Sequence, residues 1–276
     1  MITAMSAMPL YGIPAFFTLI PAVLLVFRHG GGRDSAFWGA LGLAVLGSGA
    51  QAIEFYHYGF GEGFSFSLWV TITSTLVLFV VGALVLRQGW RLLFLLAPYL
   101  LLLGGVATLF HLVFGEKHVS FPVVSATDGE GIWFFLHVVV GILSYALLTF
   151  AAVAALSAFL QERALKHKSP NRLTRKLPSV AESEALSLAM LLQGGLVLGL
   201  GLCSGLAVNW LEHRVLLDFN HKSILSILTF VTVVILIVAR FVSGTRGRVA
   251  ARLVLLAWLF LTLAWPGVKF VSQALL

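Results

Sequence analysis

The sequence predicts an all-α, polytopic integral membrane protein with eight transmembrane helices and both termini on the outer, periplasmic side. Three observations carry that prediction. The 276 residues are 59% hydrophobic and only 11% charged, with a mean hydropathy of +1.00. A soluble domain runs at about 25% charged residues, so this chain could not cover itself with polar surface in water. Eight apolar stretches are long enough to cross a hydrocarbon core, which takes about 20 helical residues. The basic residues, finally, are divided very unequally among the loops between them.

The stretches run near 7–27, 36–58, 64–86, 90–114, 132–160, 186–210, 223–243 and 249–271. They are too long for barrel strands, and a backbone in lipid must satisfy its own hydrogen bonds, so each is a helix. The chain reads as a single transmembrane domain over 1–276, with a four-helix half at 1–130 and a second half at 131–276. The first span carries Pro9, Pro14 and Pro21 and no basic residue before Arg28. A cleaved leader has its charges ahead of the apolar run, so this span is expected to be retained.

Loop charge sets the orientation. Arg28 and Arg33, Arg87 and Arg91, the six basic residues from Arg163 to Lys176, and Arg240, Arg246, Arg248 and Arg252 make 14 of the 18 lysines and arginines. The opposite loops hold Lys117, Arg214, Lys222 and Lys269. By the positive-inside rule the richer set is cytoplasmic. The net charge of +7 is thereby accounted for without nucleic acid. The longest cytoplasmic loop, 161–185, reads as a solvated basic linker, with acidic lipid or a cytoplasmic partner as its alternative occupants. The single cysteine, Cys203, allows no internal disulfide.

Ionisable groups inside a span need a reason, because each costs about 2.5–3.5 kcal/mol at the bilayer centre. In the fifth span His137, Gly141, Ser144 and Tyr145 recur at i, i+4, i+7 and i+8, one helical face. Gly141 leaves a flat side beside the histidine where something planar could lie. In the second span Gln51 and Glu54 share a face with Gly47. The third span is rich in serine and threonine, which can bond to their own backbone. The sixth contains Gly195 and Gly199, then Gly201 and Gly205, two pairs that permit close packing. Trp210 and His221 stand in the outer region between spans six and seven. His137 and His221, at similar depth, are candidates for the two axial ligands of one heme iron. His111 is a third candidate.

The segment Trp133-Phe-Phe-Leu-His137 to Ser144-Tyr145, the glycine-rich run to Gly205, His221-Lys222 and Trp265-Pro-Gly267-Val268-Lys269 together resemble the cytochrome c assembly superfamily of CcsA/CcmC heme-handling proteins. Within it the layout is most similar to the HemX/YpjD branch. The resemblance implies a b-type heme on the outer side of a bacterial cytoplasmic membrane, with His137 as an axial ligand. It also implies a cytochrome-assembly or heme-synthesis protein as partner. The chain departs from the family pattern in the short loop between spans six and seven, which holds only Trp210, and in lacking a histidine after Val268. Two other functions remain open on the residues: a non-enzymatic scaffold or regulator without stable heme, and a small-solute transporter lined by Gln51 and Glu54. No arrangement of residues suggests an enzyme.

Overall fold

The computed structural model describes residues 12–28, 32–57, 63–86, 88–115, 129–214 and 221–274. All regular structure among them is helical: α1 Gly12–Phe27, α2 Ser35–His57, α3 Phe64–Val85, α4 Leu93–Phe114 behind a 3-10 turn at Gly89–Leu92, α5 Gly129–Lys166, α6 Val180–His213, α7 His221–Val242 and α8 Gly247–Thr262. A π-helical turn at Leu263–Gly267 joins α8 to α9, Val268–Ala274. Seven segments are long and apolar enough to cross a membrane: α2 to α7, and Gly247–Ala274. The chain is a multi-pass helical membrane protein. The apolar α1 has 16 residues, and residues 7–11 of the expected first span lie outside the described residues, as do Lys117 and loop 215–220.

The first four helices pack as one group, α1 against α2 and α4, and α3 against α2 and α4. Gly47 allows the closest approach, since a Cβ there would stand 2.1 Å from Thr18 Oγ1. The α3 hydroxyls turn back on their own helix: Ser67 donates to the Phe64 carbonyl, Thr71 to Ser67 and Thr73 to Trp69.

The fifth and sixth helices correct the expected boundaries. With 38 residues, α5 is about 57 Å long at 1.5 Å per residue, far beyond a hydrocarbon core of about 30 Å. It continues to Lys166 rather than ending near 160. The next helix begins at Val180 rather than 186, because Ser179 caps it: its side chain accepts from the Glu182 N–H while Glu182 accepts from the Ser179 N–H. That is a capping box, which satisfies two orphan donors at once.

The connection between them is therefore 167–179, and it is folded. Gln161 Nε2 donates to the carbonyls of Thr174, Leu177 and Pro178 at 2.7–3.3 Å. Asn171 and Thr174 bond to each other through backbone and side chain. Lys176 reaches across to the carbonyls of Val26 and Arg28 at the end of α1. The expected solvated linker is a lid on the basic end of the bundle.

α5 is the central helix. From Ser144 to Ala158 only Leu156 falls short of full burial; its neighbours include α3, α6 and α8. The glycines of α6 divide their work. Gly194, Gly201 and Gly205 admit Leu148, Val140 and His137 of α5, while Gly195 and Gly199 admit Val233 and Phe230 of α7. The last expected span, 249–271, is not one regular helix. Pro266 cannot donate to the helix ladder, and the turn around it widens to π geometry. Beyond the jog, Gln273 accepts the Phe64 N–H at 3.0 Å, tying α9 to the start of α3.

Candidate functional site

His137 sits on the half of α5 farther from the basic end. Its ring lies on α6, where Gly205 makes the room: a Cβ there would stand 3.0 Å from His137 Cε1. His137 Nδ1 is 3.1 Å from the Gly201 carbonyl oxygen and 3.1 Å from Ser204 Oγ. Ser204 Oγ donates to the same Gly201 carbonyl at 2.9 Å. A carbonyl can only accept, and the serine proton is already committed to it. An Nδ1–H here would donate to both oxygens, and that tautomer puts the imidazole lone pair on Nε2. A metal-ligating histidine is typically held this way, by a backbone carbonyl behind the other ring nitrogen.

Around it α5 is open. Trp133, Phe134, Phe135 and Leu136 are 37–70% exposed. The next turn is filled, against expectation. The side of Gly141 that the sequence keeps clear for a planar group meets the indole of Trp265, 3.2 Å from where a Cβ would stand. Trp265 comes from the π-helical turn, its Nε1 is buried without a hydrogen-bond partner, and the Lys269 ammonium lies 5.7 Å above its ring. Sequence periodicity could not reveal this contact, because it joins segments more than 120 residues apart; the Trp-Pro-Gly motif was its only signal.

The other residues of the stripe turn inward. Ser144 is buried and donates to the Gly141 carbonyl at 2.8 Å, so it finishes its own helix. Tyr145 is buried and its hydroxyl pairs with Thr262 Oγ1 at 3.1 Å. Nearby, Trp258 Nε1 donates to Thr149 Oγ1 at 3.1 Å. A cavity of about 100 Å³ between α4, α5 and α8 is lined by Leu95, Tyr99, Thr149, Leu255 and Trp258, among others, with no histidine.

The remaining candidates lie elsewhere. Gln51 is buried on α2, whose main neighbours are α1 and α3, and Glu54 is half-buried one turn on. His111 is half-buried on α4 with its ring edge-on to Phe55 of α2, 5.1 Å between centroids. It faces the first group of helices. His221 is exposed at the first position of α7, and Trp210 is 45% exposed near the end of α6. α5 and α7 each pack on α6 and on α8, so His137 and His221 belong to helices that are not principal neighbours. Among the described residues no three histidine, cysteine, aspartate or glutamate side chains gather into a metal-binding group.

These features coincide with a family assignment. Residues 50–276 match the model of the cytochrome C assembly protein family. The chain belongs to that family. It is also 45% identical over 277 residues to an uncharacterized 28.8 kDa protein in the nifR3-like 5′ region of Azospirillum brasilense, covering 99% of this chain and all of that one. No solved structure matches the chain at a significant level. Membership in the family supports a membrane heme-handling role.

Proposed function

We propose that the protein binds a b-type heme through His137 and serves cytochrome c biogenesis, heme transfer or the control of heme synthesis, without catalysing a reaction of its own. The observation that carries this reading is the pair of acceptors behind His137 Nδ1, Gly201 O and Ser204 Oγ. They favour the tautomer with its N–H on Nδ1, whose Nε2 lone pair suits an iron. The residues fit one axial ligand. Bound heme would supply a redox-active iron and a planar, carboxylate-bearing cargo, and its ring would have to share the face of His137 with Trp265 or displace it. His221 is the proposed second ligand, with His111 as the substitute.

The topology that goes with this reading has α1 as an eighth span, the basic end in the cytoplasm and both termini outside, in a bacterial inner membrane. The asymmetry of 14 basic residues against four supports it. His137 then lies towards the outer face, where cytochrome c receives its heme.

The test is a pair of oxidised and reduced spectra of detergent-purified protein from heme-supplied cells, beside His137→Ala and His221→Ala. A Soret band with sharp reduced bands, absent in His137→Ala, is the expected result. Wild-type protein that stays colourless after added hemin would overturn the heme reading. The close fit of His137 against Gly205 would then stand as helix packing, and the scaffold reading would replace it.

A further inference from the structure

The basic end of the bundle has charge that its own fold does not use. Fourteen basic residues face four acids there, and every one of the four is engaged. Asp34 pairs with Arg28 at 2.6 Å and accepts the Phe37 N–H. Glu162 pairs with Lys166 and stands 3.9 Å from Arg248. Glu182 closes the capping box, and Glu184 accepts the Gly247 N–H at 2.7 Å. Arg163, Lys168, Arg172 and Arg175 are exposed and have no ion pair among the described residues.

Lys168, Arg172 and Arg175 stand on the folded connection, and Arg163 on the last turn of α5 beside it. Lys176 bonds to the carbonyls that end α1 and lies 5.2 Å over the ring of Phe94, in the first turn of α4. Both are helix ends, so the lid lies against the end of the bundle rather than projecting from it. Leu165, 69% exposed, stands among the same cations. A phosphate layer above acyl chains suits both parts of this mixture.

We infer that the lid together with the last turn of α5, residues 161–179, is a docking surface for the phosphate headgroups of anionic glycerophospholipids. Arg163, Lys168, Arg172 and Arg175 supply the cations and Leu165 the apolar contact. An acidic polypeptide would match the charge, whereas lipid matches both the charge and the closeness of these side chains to the apolar helix ends.

The test uses full-length protein in neutral detergent, offered equal amounts of phosphatidylglycerol and phosphatidylcholine, with retained lipid counted by native mass spectrometry. Wild type is expected to prefer phosphatidylglycerol by about tenfold. The variant Arg163→Gln/Lys168→Gln/Arg172→Gln/Arg175→Gln should fall to near parity with its helix content unchanged. Arg172→Gln/Arg175→Gln should be intermediate, which keeps the test decisive if the fourfold variant fails to fold. Equal retention of both lipids by wild type, or undiminished preference in the double variant, overturns the inference. Displacement of phosphatidylglycerol by millimolar inorganic phosphate would make this a free-phosphate site and also overturn it. Displacement by polyglutamate at matched ionic strength would assign the surface to an acidic polypeptide instead.

Discussion

The two ends of α5 obey different rules. From Ser144 to Ala158 the helix is walled in on nearly every side, and its polar groups are spent on packing: Ser157 bonds to Ser183 at 2.9 Å, and Ser187 donates to the Ala151 carbonyl. From Trp133 to Leu143 large apolar side chains stand exposed, and the one ionisable group, His137, is held by oxygens of a neighbouring helix. The first region is built for stability. In the second, apolar side chains face outward as on any lipid-facing helix, and the imidazole is held through Nδ1 by α6.

That contrast predicts opposite outcomes for substitutions at the two ends. The largest effect is expected at the closed end. Phe150 is 1% exposed, stacks edge-on with Phe79 at 6.1 Å and lies against Gly82. Phe150→Ala should lower stability by about 3–5 kcal/mol through the cavity it leaves. Thermal unfolding in detergent measures this, and hemin binding well below the transition should be unchanged. If binding is lost in step with stability, the two ends are not separable.

At the open end the order reverses. Ser204→Ala removes one of two acceptors behind His137 Nδ1 while keeping the Gly201 carbonyl. Loss of such an outer partner typically weakens metal affinity about 10–100-fold, and the lower figure is expected here because one acceptor survives. Hemin titration reads it, with a thermal midpoint close to wild type. Gly205→Ala is the steric counterpart: the added Cβ meets His137 Cε1 at 3.0 Å and must push the ring aside. An affinity for hemin equal to wild type in both variants would remove His137 from the site.

Much of the fold was legible in the sequence because lipid imposes a simple rule: a backbone without water must be helical. The apolar runs mark the helices; most ends moved, the last run breaks at the π turn around Pro266, and the first shows 16 helical residues among those described. Ser179 and Glu182 form a capping box that the sequence displays at the right spacing, yet a charge-rich loop hides it when spans are judged by hydropathy. The lid was not legible, since Gln161 binds three carbonyls 13 to 17 residues away. For the site, His137 stood out by its polarity and Gly201, Ser204 and Gly205 by their size. That they belong together is a tertiary fact, as is the filling of the Gly141 face by Trp265.

The lid permits a finer test of the closed end. Gln161→Ala strips one donor from three carbonyls near the membrane surface, where water can replace part of what is lost. A loss of about 1 kcal/mol is expected, the ordinary net worth of a hydrogen bond. The thermal midpoint should fall slightly, and protease cleavage within 167–179 should quicken, with hemin affinity unchanged. Faster cleavage in Ser204→Ala would contradict the separation of the two ends.

The smallest effect carries a sign that distinguishes the ends without touching the core. Asp34 precedes α2, where the Phe37 N–H and the Arg28 guanidinium hold its carboxyl below its ordinary value of 3.8. A carboxylate lowered in the folded state adds stability above its unfolded value, and that stability disappears as pH falls through the lowered folded value. Asp34→Asn should therefore lower the thermal midpoint slightly at pH 7, and the gap from wild type should narrow as pH falls below 3.8. The carboxylate side chain is 39% exposed, so screening keeps the effect small and salt should shrink it further. Ser204→Ala, at the other end, changes no carboxylate, and its difference from wild type should not narrow over the same acid window. A gap for Asp34→Asn that widens on acidification would mean that the ion pair with Arg28 opposes folding, and that the basic end draws its order from the lid alone.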